Sequence, residues 1–145
     1  GRPLSTVDAY RDRIRDVFLP YYAAHPARGF WAADDRSTGE FLGWFHLRPS
    51  PDTFHAADFG LTRPTDVDLG YRLRRAAWGR GLATEGARAL VELALADPAV
   101  TCVTATALLP NVGSWRVMEK VGMIRVREVG ISGYADPAVL YAVCR

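Results

Sequence analysis

The segment Asp66-Val67-Asp68-Leu69-Gly70-Tyr71-Arg72-Leu73 alternates apolar with polar or small residues, and Trp78-Gly79-Arg80-Gly81 leads from it into a helical stripe. Alternation with a period of two marks a half-buried strand. Ala83, Ala87, Leu90, Val91 and Ala94 then recur at helical spacing until Asp97-Pro98. A strand that turns through glycines straight into a helix restricts the chain to folds in which sheet and helix pack on each other. It also carries a chemical expectation. The glycines let the backbone turn tightly and approach a ligand with no Cβ in the way. The helix start presents unpaired N–H groups at the positive end of its dipole, so the turn can bind a phosphate or pyrophosphate without a metal.

Two better-known phosphate motifs do not fit. The dinucleotide fingerprint needs a third glycine three places after the second, where Thr84 stands, and no acid lies at the ribose-binding spacing downstream. A P-loop needs Gly-Lys-Ser or Gly-Lys-Thr, and the single lysine is Lys120. That lone lysine also leaves little room for Schiff-base chemistry. Arg72, Arg74, Arg75, Arg80 and Arg88 surround the glycines. Charge alone reads as a solvated face, but the position suits a polyanionic ligand.

The remaining elements follow the same logic. Thr6-Val7-Asp8 after Ser5 resembles a helix start, and Val7, Tyr10, Ile14, Val17 and Phe18 form an amphipathic stripe up to Pro20. Residues 30–33 and 41–47 flank the turn Asp34-Asp35-Arg36-Ser37-Thr38-Gly39 as a hairpin. Residues 49–65 read as a long loop able to shape a substrate pocket. Gly70 suggests a bulge in its strand. Residues 100–108 read as a strand, followed by Pro110-Asn111, a short helix ended by Gly122, and strands at 123–131 and 139–144.

A chain of 145 residues with 49% hydrophobic content suits one domain. Its net charge of +2 does not announce a nucleic-acid binder. No apolar run reaches membrane-spanning length and no leader pattern opens the chain, so a cytoplasmic protein is expected. Cys102 and Cys144 lack zinc or redox spacing and are expected to be buried free thiols.

Two blocks taken together resemble the GNAT superfamily of acetyltransferases. Trp78-Gly79-Arg80-Gly81-Leu82-Ala83 is similar to its Gln/Arg-x-x-Gly-x-Gly/Ala motif, with Trp78 departing at the first position. Asn111-Val112-Gly113-Ser114-Trp115-Arg116-Val117-Met118-Glu119-Lys120-Val121-Gly122-Met123 resembles its Asn-x-x-Ser/Ala…Glu-Lys-x-Gly-Phe/Met signature. Trp-Gly-x-Gly followed by Ala-Thr-Glu looks like the RimJ/RimL-like branch, which acetylates ribosomal-protein N-termini. The resemblance implies one α/β (α+β) domain over residues 1–145: a mixed, mostly antiparallel twisted sheet flanked by helices, with splayed central strands forming a CoA cleft. The family's usual first strand has no counterpart ahead of the first helix. The resemblance further implies acetyl-CoA as co-substrate, held by the amides of Gly79, Arg80, Gly81, Leu82, Ala83 and Thr84, by the strand edge at Tyr71, Arg72 and Leu73, and by Asn111. No metal is implied. The acceptor is expected to be a small amine or a protein N-terminus, and the chain a monomer or homodimer without nucleic-acid or membrane partners.

Acetyl transfer needs a neutral amine, a donor to the oxyanion and a proton for the departing thiolate. A backbone N–H between Gly70 and Leu73 is the natural oxyanion donor. Met118 stands where many superfamily members carry the tyrosine that protonates sulfur, and the resemblance points to Ser114 as its replacement. Asp68 is the expected base for the amine, acting through water. Asn111 also suits an N-cap, Glu85 the helix dipole, and Trp115, Met118 and Val121 the core. His46 reads as a packed or hydrogen-bonded strand residue near the pocket. The alternative function is a catalytically idle acyl-CoA-binding module, which the loss of the tyrosine at Met118 would favour.

Overall fold

A computed structural model describes residues 6–25 and 28–145. Its centre is a six-stranded sheet made of β1 (Gly29–Asp34), β2 (Phe41–Pro49), β3 (Val67–Leu73), β4 (Cys102–Leu108), β5 (Ile124–Val129) and β6 (Ala138–Cys144), in spatial order β1-β2-β3-β4-β6-β5. Every neighbouring pair is antiparallel except β3 with β4. That parallel pair requires a crossover, which α3 (Leu82–Ala96) supplies.

Alternation decides which residues each face of the sheet presents. Leu47, Val67, Leu69, Val103, Ala105, Val139 and Tyr141 face α3 and α4 (Val112–Lys120), where Ala87, Val91, Ala94 and Met118 close the main core. Trp115 packs against that core and Val121 lies within it, as their helical spacing predicts. Ala138 and Leu140 point to the other face and bury Phe59 and Leu61 from the segment after β2. The expected loop over 49–65 is therefore a packed cover, opened by a 3-10 turn at Ser50–Asp52 and anchored by Phe59, which is 1% exposed.

Three expectations need correction. The first helical stretch does not stop at Pro20: α1 (Val7–Arg13), capped by Thr6 Oγ1 accepting from the Ala9 N–H, runs through a π turn at Ile14–Phe18 into α2 (Leu19–Ala24). The Leu19 N–H donates to the Ile14 carbonyl, and this wider turn leaves Pro20 in the first turn of α2, where its missing donor is not needed. Only Phe18 of the proposed stripe stacks on the sheet, 3.8 Å from Phe30, while Val7, Tyr10, Ile14 and Val17 stay exposed. Ser5 lies outside the described residues. Gly70 is not a bulge, since the β2–β3 register passes through it unbroken from Pro49↔Val67 to Gly43↔Leu73.

The third correction concerns the cysteines. Cys102 and Cys144 are not free thiols; they form a disulfide with Cα atoms 4.1 Å apart. The antiparallel β4–β6 register puts them directly opposite each other. Their separation of 42 residues gave no hint of this, because the pairing of two distant strands is a tertiary fact.

Candidate active site

Strands β3 and β4 are paired only at Val67↔Val103 and Asp68↔Thr104. A polar stitch holds that short contact: the Thr104 hydroxyl donates to the Val67 carbonyl at 3.2 Å and lies 2.7 Å from the Ser50 hydroxyl. From Leu69 onward β3 stays with β2 and β4 stays with β6, so the two strands part and each turns one backbone edge toward a cleft. The β3–β4 pairing thus ends before the stretch Tyr71 to Leu73, which borders the cleft where an oxyanion donor or an added-strand ligand would be needed.

Beyond Leu73 the chain passes a 3-10 turn at Arg75–Ala77 and reaches the two glycines. The Trp78 indole N–H donates to the Leu73 carbonyl at 2.9 Å, so the tryptophan that departs from the motif ties its turn to the end of β3. Gly79 and Gly81 have φ of 74° and 80°, a left-handed conformation that glycine adopts without strain. A Cβ at either would meet nothing within 4 Å, so this stretch of backbone faces open space. Gly81 is the N-cap of α3 and no side chain caps the helix, while the first helical bond runs from the Glu85 N–H to the Gly81 carbonyl. The amides of Leu82, Ala83 and Thr84 therefore precede the helical ladder and are disposed for an anion.

The arginines divide by role. Arg80 pairs with Asp35 at 3.3 Å and Arg74 with Glu40 at 2.5 Å, both reaching to the β1–β2 turn. Arg75 lies over the Trp78 ring, and Arg88 donates to the Lys120 carbonyl at the end of α4. Arg88 thus tethers α3 to the end of α4.

Across the cleft, Asn111 caps α4, its side-chain oxygen accepting from the Ser114 N–H at 3.3 Å. Ser114 faces β3. Its hydroxyl donates to the Tyr71 phenol at 3.3 Å, and the phenol donates in turn to the Ser114 carbonyl at 2.7 Å. Burial pushes the Tyr71 phenol above its ordinary pKa, so it keeps its proton. The sequence presents Tyr71 only as a length of strand edge, and no local signal points to its hydroxyl, because the Ser114 partner lies 43 residues away.

Asp68 sits on the other face of β3. It is 3% exposed, and its Oδ2 accepts from His46 Nε2 at 3.0 Å and from Arg48 Nε at 3.1 Å. Burial alone would raise its pKa; the hydrogen bond from His46 and the charge of Arg48 outweigh it and hold the carboxylate below its ordinary value. Such a carboxylate is a weak base without direct access to water, which does not suit a water-mediated role. His46, 22 residues away in sequence, is packed and hydrogen-bonded as expected. Nothing in local sequence could tie it to Asp68. Among the described residues no group of three or more His, Cys, Asp or Glu could hold a metal ion, and no helix is long and apolar enough to cross a membrane.

Known proteins share this architecture. The structure superposes on the aminoglycoside acetyltransferase AAC(6')-Ib solved with coenzyme A, and with coenzyme A and kanamycin, at TM-score 0.74 and 25% identity, over 97% of this chain and 77% of that one. A ribosomal-protein-S5-alanine acetyltransferase from Vibrio fischeri shares the fold at TM-score 0.73 and 13% identity, over 99% of this chain and 77% of that one. The FsC-acetyl coenzyme A-N(2)-transacetylase of Aspergillus fumigatus is 29% identical over 137 residues, which are 94% of this chain and 55% of the relative. The chain spans about half the length of the curated relatives it matches. The family model of the acetyltransferase (GNAT) domain matches residues 2–124, and with the splayed strands, the glycine turn and the capped α4 in place, the chain belongs to that family.

Proposed function

We propose that this domain transfers the acetyl group of acetyl-CoA to a primary amine by direct attack on the thioester. The observation that carries the proposal is the parting of β3 from β4 after two paired residues, with the Ser114 and Tyr71 hydroxyls beside the opening. In this reading the amides from Gly79 to Thr84 hold the CoA pyrophosphate. The edge at Tyr71, Arg72 and Leu73, with Asn111 opposite, takes the pantetheine arm, and a β3 N–H stabilises the oxyanion. The Ser114 hydroxyl supplies the proton to the departing thiolate. Asp68 serves the amine side, on the other face of the sheet.

The acceptor is a small amine or a protein N-terminus. The run from Trp78 to Glu85 supports a RimJ/RimL-like specificity for the latter, and the names of the aminoglycoside and transacetylase relatives support the former. Calorimetric titration with acetyl-CoA, followed by thiol detection against aminoglycosides, polyamines and peptides with free N-termini, tests the proposal. Binding followed by CoA release with one class of amine is expected. Absence of acetyl-CoA binding would overturn it, and tight binding without release would identify an idle acyl-CoA module.

A further inference from the structure

At the end of α3 away from the glycine turn, the side chains leave a cavity of about 250 Å³ between the helix and the sheet. Its floor is made by Leu47 of β2, Val67 of β3, Ala94 of α3 and Val100 just before β4, all part of the main core and none more than 5% exposed. The sequence accounts for the space. α3 ends in Leu93-Ala94-Leu95-Ala96, and Ala94 and Ala96 bring only methyl groups to this corner. Native cores leave few voids larger than a water molecule, because the lining atoms lose their packing partners there. This one opens to solvent beside Leu93, which is 51% exposed, so a small molecule can reach it. The 15 residues of α3 put it roughly 20 Å from the glycine turn, at the end of the sheet where β3 and β4 are still paired.

The cavity has two charged lining residues of opposite sign, Arg28 and Asp97, and they do not pair with each other. Asp97 is the C-cap of α3, and its Oδ1 accepts from the Ala99 N–H at 2.9 Å. That bond fixes the carboxylate, while Oδ2 has no hydrogen bond among the described residues. The negative end of the α3 dipole adds to the Asp97 charge, so this side of the cavity favours a cation. Arg28 directly precedes β1 and is half-buried. Its backbone N–H donates to the His25 carbonyl at 2.9 Å, but its guanidinium meets no acid or acceptor among the described residues. A half-buried guanidinium has given up part of its hydration and gains most from an anion that answers its paired donors.

We propose that this cavity binds a free α-amino acid with an aliphatic side chain of about the size of leucine. The side chain enters between Leu47, Val67 and Val100, the carboxylate meets the Arg28 guanidinium, and the ammonium meets Asp97 Oδ2. Size agrees with this ligand. An apolar cavity of about 150 Å³ holds benzene, and drug-sized ligands occupy pockets from about 300 Å³ upward, so the space suits a compact molecule between the two. Charge agrees as well. An apolar molecule without charges leaves Arg28 and Asp97 unanswered, and a carboxylic acid or an amine answers only one of them. A zwitterion answers both and adds no net charge. The site is separate from the cleft, and its ligand is bound whether or not the domain transfers acetyl groups.

Calorimetric titration of the wild type with leucine tests the proposal, and saturable binding in the micromolar to millimolar range is expected. 4-Methylpentanoate lacks the ammonium, isoamylamine lacks the carboxylate and glycine lacks the side chain, so each should bind on the order of tenfold or more weakly. Arg28→Gln and Asp97→Asn each remove one charge at the mouth, and Asn keeps the bond to the Ala99 N–H. Both should weaken leucine on the order of ten- to a hundredfold and leave acetyl-CoA affinity within about twofold of wild type. Ala96→Phe, at an exposed lining position, should close the mouth and abolish leucine binding. Should that variant fail to fold, the charge variants and the three analogues still decide. No binding at about 10 mM leucine overturns the site. Leucine binding that survives Arg28→Gln and Asp97→Asn places the ligand elsewhere, as an acceptor amine in the cleft would be, and overturns it too. Equal affinity for 4-methylpentanoate or isoamylamine overturns the assignment of a zwitterion.

Discussion

At the scale of single residues, two hydroxyls and a cap decide the thiol side of the cleft. Ser114 donates to Tyr71, which itself donates to the Ser114 carbonyl, so the serine hydroxyl sits in a short chain of donors and not on the helix backbone. Ser114→Ala should lower kcat by about ten- to a thousand-fold while acetyl-CoA affinity, read by calorimetry, changes little. Turnover within about a factor of two of wild type would show that Tyr71 or water suffices. Tyr71→Phe then separates those two, since only loss of the phenol removes the second hydroxyl. Asn111 was legible as a cap from sequence, because an Asn before a short helix has that local role. Asn111→Ala should cost about 0.5–2 kcal/mol in thermal unfolding. A loss of acetyl-CoA affinity beyond the effect on melting would show pantetheine contact as well.

At the scale of elements, the start of α3 and the β4–β6 pair carry separate predictions. Gly81 combines a φ of 80° with open space where a side chain would go. Gly81→Val therefore meets two obstacles: a left-handed conformation costing about 1–2 kcal/mol for an L-residue, and a branched side chain over the amides. Acetyl-CoA and dephospho-CoA should both lose affinity, since both keep the pyrophosphate, and calorimetry on the folded variant checks this. Unchanged affinity would remove the glycine turn from the site. For the strands, Cys144→Ser should lower stability by about 2–4 kcal/mol in denaturant unfolding, the range for closing a loop of 42 residues. The same shift should follow reduction of the wild type and be absent when the variant is reduced.

At the scale of the whole molecule, the buried charges that join β2 to β3 make stability depend on pH. His46 has a folded-state pKa below its ordinary value of 6.5, so the unfolded chain binds the proton more readily and stability falls as pH drops through that value. Asp68 has a folded-state pKa below 3.8, so its contribution is complete above that value and disappears as pH falls through the lower folded one. The unfolding free energy should therefore decline between pH 7 and pH 5 on account of His46, by at most about 1.4 kcal/mol per pH unit, and again below about pH 4 as Asp68 protonates, with the melting temperature following it. In His46→Gln the upper decline should shrink. A wild-type melting curve flat from pH 7 to pH 5 would show that His46 titrates as it does in the unfolded chain.

The sequence by itself determined what depends on neighbours along the chain. The alternation of Val67 to Leu73, the stripe from Ala83 to Ala94, the left-handed glycines and the Asn111 cap are local consequences of backbone sterics and periodic burial, and each lies where the sequence placed it. Only the tertiary structure decided what depends on register between distant strands. The β4–β6 pairing brought Cys102 to Cys144, the β2–β3 pairing laid His46 over Gly70 and beside Asp68, and the end of β3–β4 pairing brought Tyr71 to Ser114 across the opening. These contacts span 22 to 43 residues. No local preference encodes them, because strand register is set by the burial pattern of the whole sheet and a shift of one residue would turn the strand side chains His46, Asp68, Tyr71, Cys102 and Cys144 to the opposite face.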